Sequence, residues 1–265
     1  MEMAMTADAR VGTVQALWRY PVKSLQGTAV ERVEVRANGV EGDRQWGIVD
    51  VATGKVLSAK RWPALLEAFA APAGKTDVTV ALPDGSTWDS SDREIDAALS
   101  AWLDHEVRLS RPSLEAGTAY ELTMDPTDDS SEPWDFATPA GSFADLASVH
   151  VLTTASLGAI RAEHPDGDWA VERFRPTALI DTGTATGYLE DGWVGDQIGI
   201  GDAVIDVFMA TPRCAMPGRA QPPQHLPADK SILTTIRDHH DNNLGVYASV
   251  ITPGPVAVGD QVRPT

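Results

Sequence analysis

Short runs in which apolar and polar residues alternate recur along the chain and predict β-strands. In TAVERVEVR, for example, Val30, Val33 and Val35 fall near every second position. Glycine-containing turns at residues 53–54 and 84–85 predict two hairpins, because glycine tolerates the positive φ that such turns require. Further strands are predicted in SVHVLT, TALID, QIGIGDAVIDVFMA, LGVYASV and PVAVGDQVR.

Apolar positions three to four residues apart predict a smaller number of helices. In SSDREIDAALSAWLDH, Ile95, Leu99 and Leu103 share one face. Ser91 or Asp92 is expected to cap the N-terminus of this helix. Shorter helices are predicted in RWPALLEAFA, from TTASLGAI and in ADKSILTTIRDHH. Because the strands are short and outnumber the helices, the pattern predicts a mainly β fold with some helices (α+β), and it favours β-barrels over a doubly wound parallel sheet.

The composition changes between Arg111 and Pro139, where Pro, Asp, Ser and Thr dominate around MDPTDDSSEPWD. A structureless stretch of this length predicts either a linker or a functional loop. We interpret it as the join between two parts of one compact molecule, residues 11–112 and residues 113–265. Its acidic centre lacks the glycine and glutamate positions of a calcium-binding EF-hand, so a solvated loop is expected there.

The charge balance restricts the partners that the protein can bind. The 265 residues carry a net charge of −17. This argues against nucleic acid and anionic membrane surfaces, since both bind cationic faces. No apolar run approaches the roughly 20 residues that span a bilayer, and MEMAMTADAR lacks the features of a secretory signal. With a free thiol and no signal, the chain is expected to be cytoplasmic.

Cys214 is the only cysteine in the sequence. This excludes a disulfide framework, a four-thiolate zinc site and an all-cysteine iron–sulfur cluster within this chain. Pro212 and Pro217 stiffen the segment around it, and Arg213 is its neighbour. A nearby cation favours the thiolate, which attacks electrophiles or binds soft metals. The alternative is a small buried apolar side chain with no chemical role.

Basic residues stand beside Pro or Gly at predicted strand ends in four segments. These segments are YPVKS (residues 20–24), GDR (42–44), RFRP (173–176) and PRC (212–214). If the segments converge in the fold, they form a cationic pocket that suits a phosphate or carboxylate, which arginine binds through two hydrogen bonds. If they do not converge, their charges are solvated at strand ends.

An ordered set of motifs resembles the MOSC family, the molybdenum-cofactor sulfurase C-terminal domain preceded by its N-terminal β-barrel domain. The motifs are YPVKS, GVEGDRQW, FADLASVHVLTTASL, RFRPTALID, DGWVGDQIGIGDAVIDV, TPRCAM and NLGVYASV with GPVAVGDQV. The similarity runs from about Val11 to Val262 and is greatest to two-part members such as the amidoxime-reducing components and YcbX-like proteins. The resemblance implies a two-part β-barrel architecture, with the MOSC N-terminal domain in residues 11–112 and the MOSC domain in residues 113–265.

The resemblance also implies a molybdenum–pterin cofactor (molybdopterin) and its binding residues. Cys214 matches the family's cysteine, a direct ligand of the metal, and is therefore expected to be both metal ligand and catalytic residue. Thr177 stands where related members carry asparagine after R-P, so a shorter hydrogen-bonding side chain is expected there. The other positions that match residues holding the pterin and its phosphate, or lining their pocket, are Lys23, Ser24, Arg44, Arg175, Pro212, Arg213 and Tyr247.

The function implied by the resemblance is that of a molybdenum-cofactor oxidoreductase, which reduces small N-hydroxylated or N-oxygenated compounds. A single cysteine cannot ligate an iron–sulfur relay, so the electrons are expected to come from a separate electron-transfer protein. Two alternatives stay open. One is a carrier module that delivers the cofactor or sulfur without turnover, and the other is a thiol enzyme that uses Cys214 as a nucleophile without a metal.

Overall fold

The computed structural model describes residues 11–122, 132 and 134–265. Among these residues the α-helices are α1 Ile95–Leu103, α2 Thr154–Glu163 and α3 Ser231–His240. The strands, in chain order, are β1 Gly12–Arg19, β2 Thr28–Val30, β3 Arg32–Arg36, β4 Gly39–Val40, β5 Gly47–Asp50, β6 Phe69–Ala73, β7 Asp77–Ala81, β8 Thr87–Asp89, β9 Val107–Ser110, β10 Ala119–Leu122, β11 Trp134–Ala137, β12 Val149–Thr153, β13 Ala178–Asp181, β14 Gln197–Ile200, β15 Ala203–Pro212, β16 Asn243–Thr252, β17 Gly254–Ala257 and β18 Gln261–Pro264. No helix in this part of the chain is long and apolar enough to cross a membrane.

Seven of the described strands close a β-barrel, in the order β1, β13, β12, β16, β15, β14 and β18, with β18 pairing back to β1. All neighbours are antiparallel except β12 and β13, which are parallel. Alternate side chains of these strands point inward and pack as one apolar core, which includes Val14, Val151, Val207 and Val262. The mainly β, barrel-type fold predicted from the sequence is therefore confirmed. The first strand of the chain supplies the wall between β13 and β18.

A second apolar core lies between the smaller sheets of the N-terminal half, β5–β9 and β6–β7–β8, and helix α1. Ile95, Leu99 and Leu103 bury one face of α1, as the apolar spacing predicts. Met216, which follows the barrel strand β15, packs into this core. The two halves of the molecule are thus joined through the segment that contains Cys214.

Two local predictions about helices are wrong in detail. The N-terminal cap of α1 is Glu94, which makes no side-chain hydrogen bond, while the Asp92 carboxylate accepts from the backbone N–H of Asp89 instead. In RWPALLEAFA only residues 63–67 form a short 3₁₀ helix. The chain then extends, because Phe69 begins a strand that pairs with β7.

The predicted hairpins and loop have mixed outcomes. The hairpin around residues 84–85 is confirmed by the pairing of β7 with β8. The turn at residues 53–54 is flanked by one antiparallel bridge, between Val49 and Val56, and by the hydrogen bonds from Asp50 N–H to the Lys55 carbonyl and from Leu57 N–H to the Ile48 carbonyl. The stretch predicted to be structureless contains the antiparallel pair β10–β11, so that prediction is wrong for these residues. MEMAMTADAR and nine of the twelve residues of MDPTDDSSEPWD, on which two further predictions rest, lie outside the described residues.

Candidate functional site

A cavity opens between the barrel and the second core, where several strands end. It encloses about 680 Å³ of empty space, with the open solvent at its mouth included. All four predicted basic segments contribute to its wall. The lining residues are Lys23, Ser24, Arg44, Asp145, Leu146, Ala147, Ser148, His150, Arg173, Phe174, Arg175, Thr177, Arg213, Cys214, Met216 and Tyr247. Of the site residues predicted from the sequence, the fold does not bring Pro212 to the cavity: it is exposed and pairs with Asn243 at the end of β15.

Three of the lining residues adopt a left-handed backbone conformation without being glycine. Ser24, Arg44 and Arg175 have φ angles of 69°, 49° and 52°. This conformation costs an L-residue roughly 1–2 kcal/mol, and such residues concentrate at binding and catalytic sites. Backbone hydrogen bonds hold two of them, from Arg44 N–H to the Tyr20 carbonyl (2.8 Å) and from Arg175 N–H to the Glu172 carbonyl (3.2 Å). The strained turns set where these side chains enter the cavity.

The guanidinium groups of Arg44 and Arg175 both lie against the ring of Tyr20, at 5.1 Å and 4.2 Å from its centre. Arg44 is paired with the neighbouring carboxylate of Asp43. The terminal nitrogens of Arg175, Nη1 and Nη2, are buried and have no hydrogen-bond partner among the described residues. Burial lowers the pKa of Arg175 to about 10, so the group is still charged at neutral pH. Buried charged donors of this kind require an acceptor, and the cavity admits either water or a ligand oxygen.

Arg173, which the sequence groups with the pocket cations, has a structural role. It is fully buried and is paired with the carboxylate of Asp168 at 2.9 Å. Its guanidinium also donates to the carbonyls of Pro217 (3.1 Å) and Pro227 (2.8 Å). Its donors are therefore used to hold the segment that follows Cys214.

Arg213 fixes the wall of the cavity beside Tyr247. Its guanidinium donates to the carbonyls of Phe174 (3.0 Å) and Leu244 (3.3 Å), and its Nη1 lies 3.3 Å from Nε2 of His150. Burial, together with the charge of Arg213, lowers the pKa of His150 well below its usual range, so its ring is neutral and Nε2 can accept. Tyr247 meets this ring edge-on at 5.5 Å, and burial raises the pKa of its hydroxyl.

The hydroxyl groups of Ser24 and Thr177 are both engaged with the backbone. Ser24 Oγ accepts from the N–H of Ala59 at 3.0 Å, and Thr177 Oγ1 accepts from the N–H of His150 at 3.1 Å. Each hydroxyl therefore connects two segments of the wall, while its own hydrogen stays available for a ligand in the cavity.

Cys214 is half-buried and lies on a rigid segment at the cavity wall. Reciprocal hydrogen bonds with Asn242 fix the backbone just before it, since Arg213 N–H donates to the Asn242 carbonyl (2.8 Å) and Asn242 Nδ2 donates to the Arg213 carbonyl (2.9 Å). Within the described residues, no group of three or more His, Cys, Asp or Glu side chains could hold a metal ion.

The sequence did not predict a cluster of charges at the inner side of the cavity. Asp145 pairs with two buried lysines, with Lys23 through Oδ1 and with Lys60 through Oδ2 at 2.8 Å. Lys23 also donates to the carbonyl of Phe143 at 2.9 Å, and both ammonium groups lie over the ring of Tyr120. Although burial raises the pKa of Asp145, the two cations hold it well below its usual range. Burial lowers the pKa of Lys23 to about 8.

We expect Asp145→Asn to lower the free energy of unfolding by about 3 kcal/mol, because it leaves two buried ammonium groups without their anion. Since the folded-state pKa of Asp145 is depressed, its contribution is present above the unfolded value of about 3.9 and is lost as the pH falls. The acid-side loss of stability should therefore be smaller in the variant. Urea denaturation between pH 3 and pH 7 measures both effects.

The matched control is Asp135→Asn, which removes one partner of Lys55 (2.7 Å) at a position where the carboxylate side chain is 54% exposed. Exposed ion pairs contribute about 0–1 kcal/mol, so this change should have little effect. Equal losses for the two variants would show that the cluster around Asp145 is no more stabilising than a surface pair.

Two family models match the chain in succession. The MOSC N-terminal β-barrel domain matches residues 11–119, and the MOSC domain matches residues 139–263. Together the two matched ranges contain the whole cavity wall described above.

Curated relatives and a solved structure extend over nearly the full chain. The mitochondrial amidoxime-reducing component 1 of Homo sapiens is 24% identical over 295 residues, with 96% of this chain and 83% of the relative covered. The mitochondrial amidoxime reducing component 2 of the same species is 25% identical over 293 residues, with the same coverage of 96% and 83%. The YUAD protein from Bacillus subtilis superposes with a TM-score of 0.50 at 12% identity, covering 95% of this chain and 93% of that one, which shows a shared fold.

Proposed function

We propose that this chain, which belongs to the MOSC family, binds a molybdenum–pterin cofactor in the central cavity and reduces small N-hydroxylated or N-oxygenated compounds. The observation that supports this best is the buried guanidinium of Arg175, which has no acceptor among the described residues and lines the same cavity as the thiol of Cys214. The amidoxime-reducing components, at about 24% identity, carry the reaction class in their names.

The residues of the cavity fit such a cofactor. A phosphate group needs fixed cationic donors, and Arg175 offers two free terminal nitrogens while Arg44 and Lys23 stand nearby on the same wall. A thiolate is a ligand that soft transition metals prefer, and Cys214 presents its sulfur on a fixed backbone. We assign Ser24, Thr177, Arg213 and Tyr247 to the wall that orients the pterin.

When bound, the cofactor supplies a redox-active metal centre that carries two electrons to the substrate. For a hydroxylamine, the N–O bond breaks, N–H and O–H bonds form, and two electrons and two protons are consumed to give an amine and water. The pKa of Lys23, at about 8, makes its ammonium a group of the cavity that can give up a proton near neutral pH. Asp145, held between two lysines, keeps that ammonium in place.

The electrons have to come from another protein, since the single cysteine of the sequence cannot ligate an iron–sulfur cluster. We place the reaction in the cytoplasm, where a free thiol stays reduced. The substrate is a small molecule, because the cavity has the size of a small-ligand site and the net negative charge of the chain argues against nucleic acid.

Expression in a host that makes the pterin cofactor, with molybdate supplied, should yield protein that contains molybdenum near one atom per chain. This metal-replete protein, with reduced viologen as the electron donor, should reduce hydroxylamines or amidoximes, whereas NADH without a donor protein should not support turnover. Elemental analysis and product quantification measure these results.

Three outcomes would contradict the proposal in different ways. If protein purified from a host that makes the cofactor contains no molybdenum, the proposal that the cavity binds a molybdenum cofactor is wrong. Bound cofactor that is transferred to an apo-enzyme, without turnover of any N-hydroxylated or sulfoxide substrate, would favour the carrier module. Turnover by metal-free protein that is lost on alkylation of Cys214 would favour a thiol enzyme.

A further inference from the structure

A second cavity lies outside the wall of the first and is not used by the proposed chemistry. It encloses about 1430 Å³ of empty space, with open solvent included. Its rim is made by the β3–β4 turn, the β6–β7 turn and the residue that follows β9, and its floor includes Pro21, Gly42 and Trp46. We call this second cavity the outer cleft.

The outer cleft concentrates positive charge in a protein whose net charge is −17. Four of its lining residues are cationic, and two, Glu41 and Asp77, are acidic. Glu41 lies 3.3 Å from Arg36, so these two charges offset each other, and the four cations and two acids of the lining leave a net charge of +2. The cationic residues are Arg19, Arg36, Lys75 and Arg111.

Most of these cations are exposed at the rim. Arg36, Lys75 and Arg111 are exposed, and each comes from a different segment of the chain. Arg19 is half-buried, and its Nε has no partner among the described residues. A site for one small anion would gather buried donors on a single point, whereas exposed charges spread around a rim steer and orient a protein surface. The distribution therefore favours a protein partner with an acidic face.

Only one layer of backbone separates the outer cleft from the central cavity. Lys23 N–H donates to the Trp46 carbonyl at 2.8 Å, and Trp46 N–H donates to the Pro21 carbonyl at 3.1 Å. Along these two paired segments, Lys23 faces the central cavity while Pro21 and Trp46 face the cleft. The indole of Trp46 is fixed, because its Nε1 donates to the Thr76 carbonyl at 3.0 Å and the guanidinium of Arg111 lies 5.1 Å from its ring centre.

We infer that the outer cleft docks the acidic face of the electron-transfer protein that supplies this chain. The inference rests on the proposed function, since it concerns the partner of the same reaction. Docking there brings a donor to the thin wall behind Lys23, and the two cavities share no lining residue. The net negative charge of the rest of the chain is largely screened beyond about 8–10 Å at physiological ionic strength, so the local cations decide the encounter.

Cleavage of one N–O bond needs two electrons, so two molecules of a one-electron donor would dock in the outer cleft one after the other. Two molecules of a one-electron donor are each oxidised by one electron for every N–O bond that is cleaved. The two protons come from solvent, directly or through the ammonium of Lys23, and the oxygen leaves as water.

The test compares two double variants of the cofactor-loaded protein. Arg36→Glu with Lys75→Glu reverses two rim charges, and Arg93→Glu with Lys230→Glu reverses two exposed charges that do not line the cleft. The donor is prereduced plant-type ferredoxin, an acidic one-electron carrier, and its oxidation in the presence of a hydroxylamine is followed by stopped flow. Parallel assays use reduced viologen.

At about 0.15 M ionic strength, where the net charge of the rest of the chain is largely screened, we expect the cleft variant to oxidise ferredoxin about tenfold more slowly and the control variant to stay within about twofold of the wild type. Viologen-driven turnover should be unchanged in both. If viologen supports turnover but ferredoxin oxidation is absent or equal in all three proteins, the docking inference is wrong and the proposed function stands. If viologen supports no turnover, the proposed function is wrong, and the docking inference that rests on it is wrong as well. Tight binding of inorganic pyrophosphate in the cleft, with ferredoxin oxidation unaffected by charge reversal, would assign the cleft to a small anion.

Discussion

Cys214→Ala will abolish viologen-driven reduction of N-hydroxylated substrates, with a loss of at least about 10³-fold, a change of about 4 kcal/mol in the barrier. The physical reason is that the proposed function makes the thiol of Cys214 a ligand of the metal, and this thiol lines the cavity. Molybdenum content should also fall, while the contacts to the phosphate of the pterin retain part of the cofactor. Elemental analysis and pterin fluorescence after oxidation separate these two effects.

The fold should tolerate this change, because Cys214 is only half-buried and its backbone is fixed by Asn242. Cys214→Ser is the matched variant: it keeps the size of the side chain and replaces the soft sulfur by a hard oxygen, so it should lose activity as severely. Met216→Leu, at a lining residue with no ligand chemistry, should keep most of the activity. Retained turnover in Cys214→Ala with normal molybdenum content would remove the thiol from the mechanism.

The convergence of the basic segments could be predicted in part because each is marked by local sequence features. Pro and Gly beside Lys or Arg indicate where a strand ends, and side chains at strand ends can enter a cleft. This reasoning pointed to Lys23, Arg44, Arg175 and Arg213, all of which line the cavity. The roles assigned to them remain predictions until ligand binding is measured.

The features that could not be predicted from the sequence depend on contacts between residues that are far apart in the chain. Asp145 and Lys60 are 85 positions apart and form an ion pair at 2.8 Å, and no local feature shows that the two residues meet. Arg173 resembles Arg175 in sequence context, but carbonyls from residues 217–227 occupy its donors. One sequence feature could have identified Asp145 as a candidate. It lies in FADLASVH, just before a buried strand, where an acidic side chain needs a cationic partner.

The position of β1 illustrates the same limit at the level of topology. The strand pairs with its sequence neighbour β2, but nothing local shows that it also pairs with the distant strands β13 and β18. Because β1 ends at Arg19, the chain passes directly from the barrel wall into the YPVKS segment of the cavity. The closure of the barrel therefore positions Lys23 and Ser24, and it does so through pairings that span more than 150 residues.

Arg175→Met will weaken cofactor binding about 100-fold, which corresponds to about 2.7 kcal/mol, while the free energy of unfolding of the apo protein will stay within about 1 kcal/mol of the wild type. In the apo protein two opposing effects nearly cancel. Loss of the contact with the Tyr20 ring, 4.2 Å away, costs about 1–2 kcal/mol, while removal of buried donors without a partner among the described residues recovers a similar amount. Methionine is no more strained than arginine at the φ of 52°.

The difference in melting temperature between the apo and the cofactor-loaded protein separates a binding role of Arg175 from a structural one. A ligand that binds only the folded state stabilises it by mass action, so the gain in melting temperature on loading should be large for the wild type and small for Arg175→Met. Arg175→Lys, which keeps the charge but cannot form two parallel hydrogen bonds, should fall between them. A large drop in the stability of apo Arg175→Met, with normal cofactor occupancy, would mean that the guanidinium supports the fold and that the acceptor of its Nη1 and Nη2 hydrogens is not the cofactor.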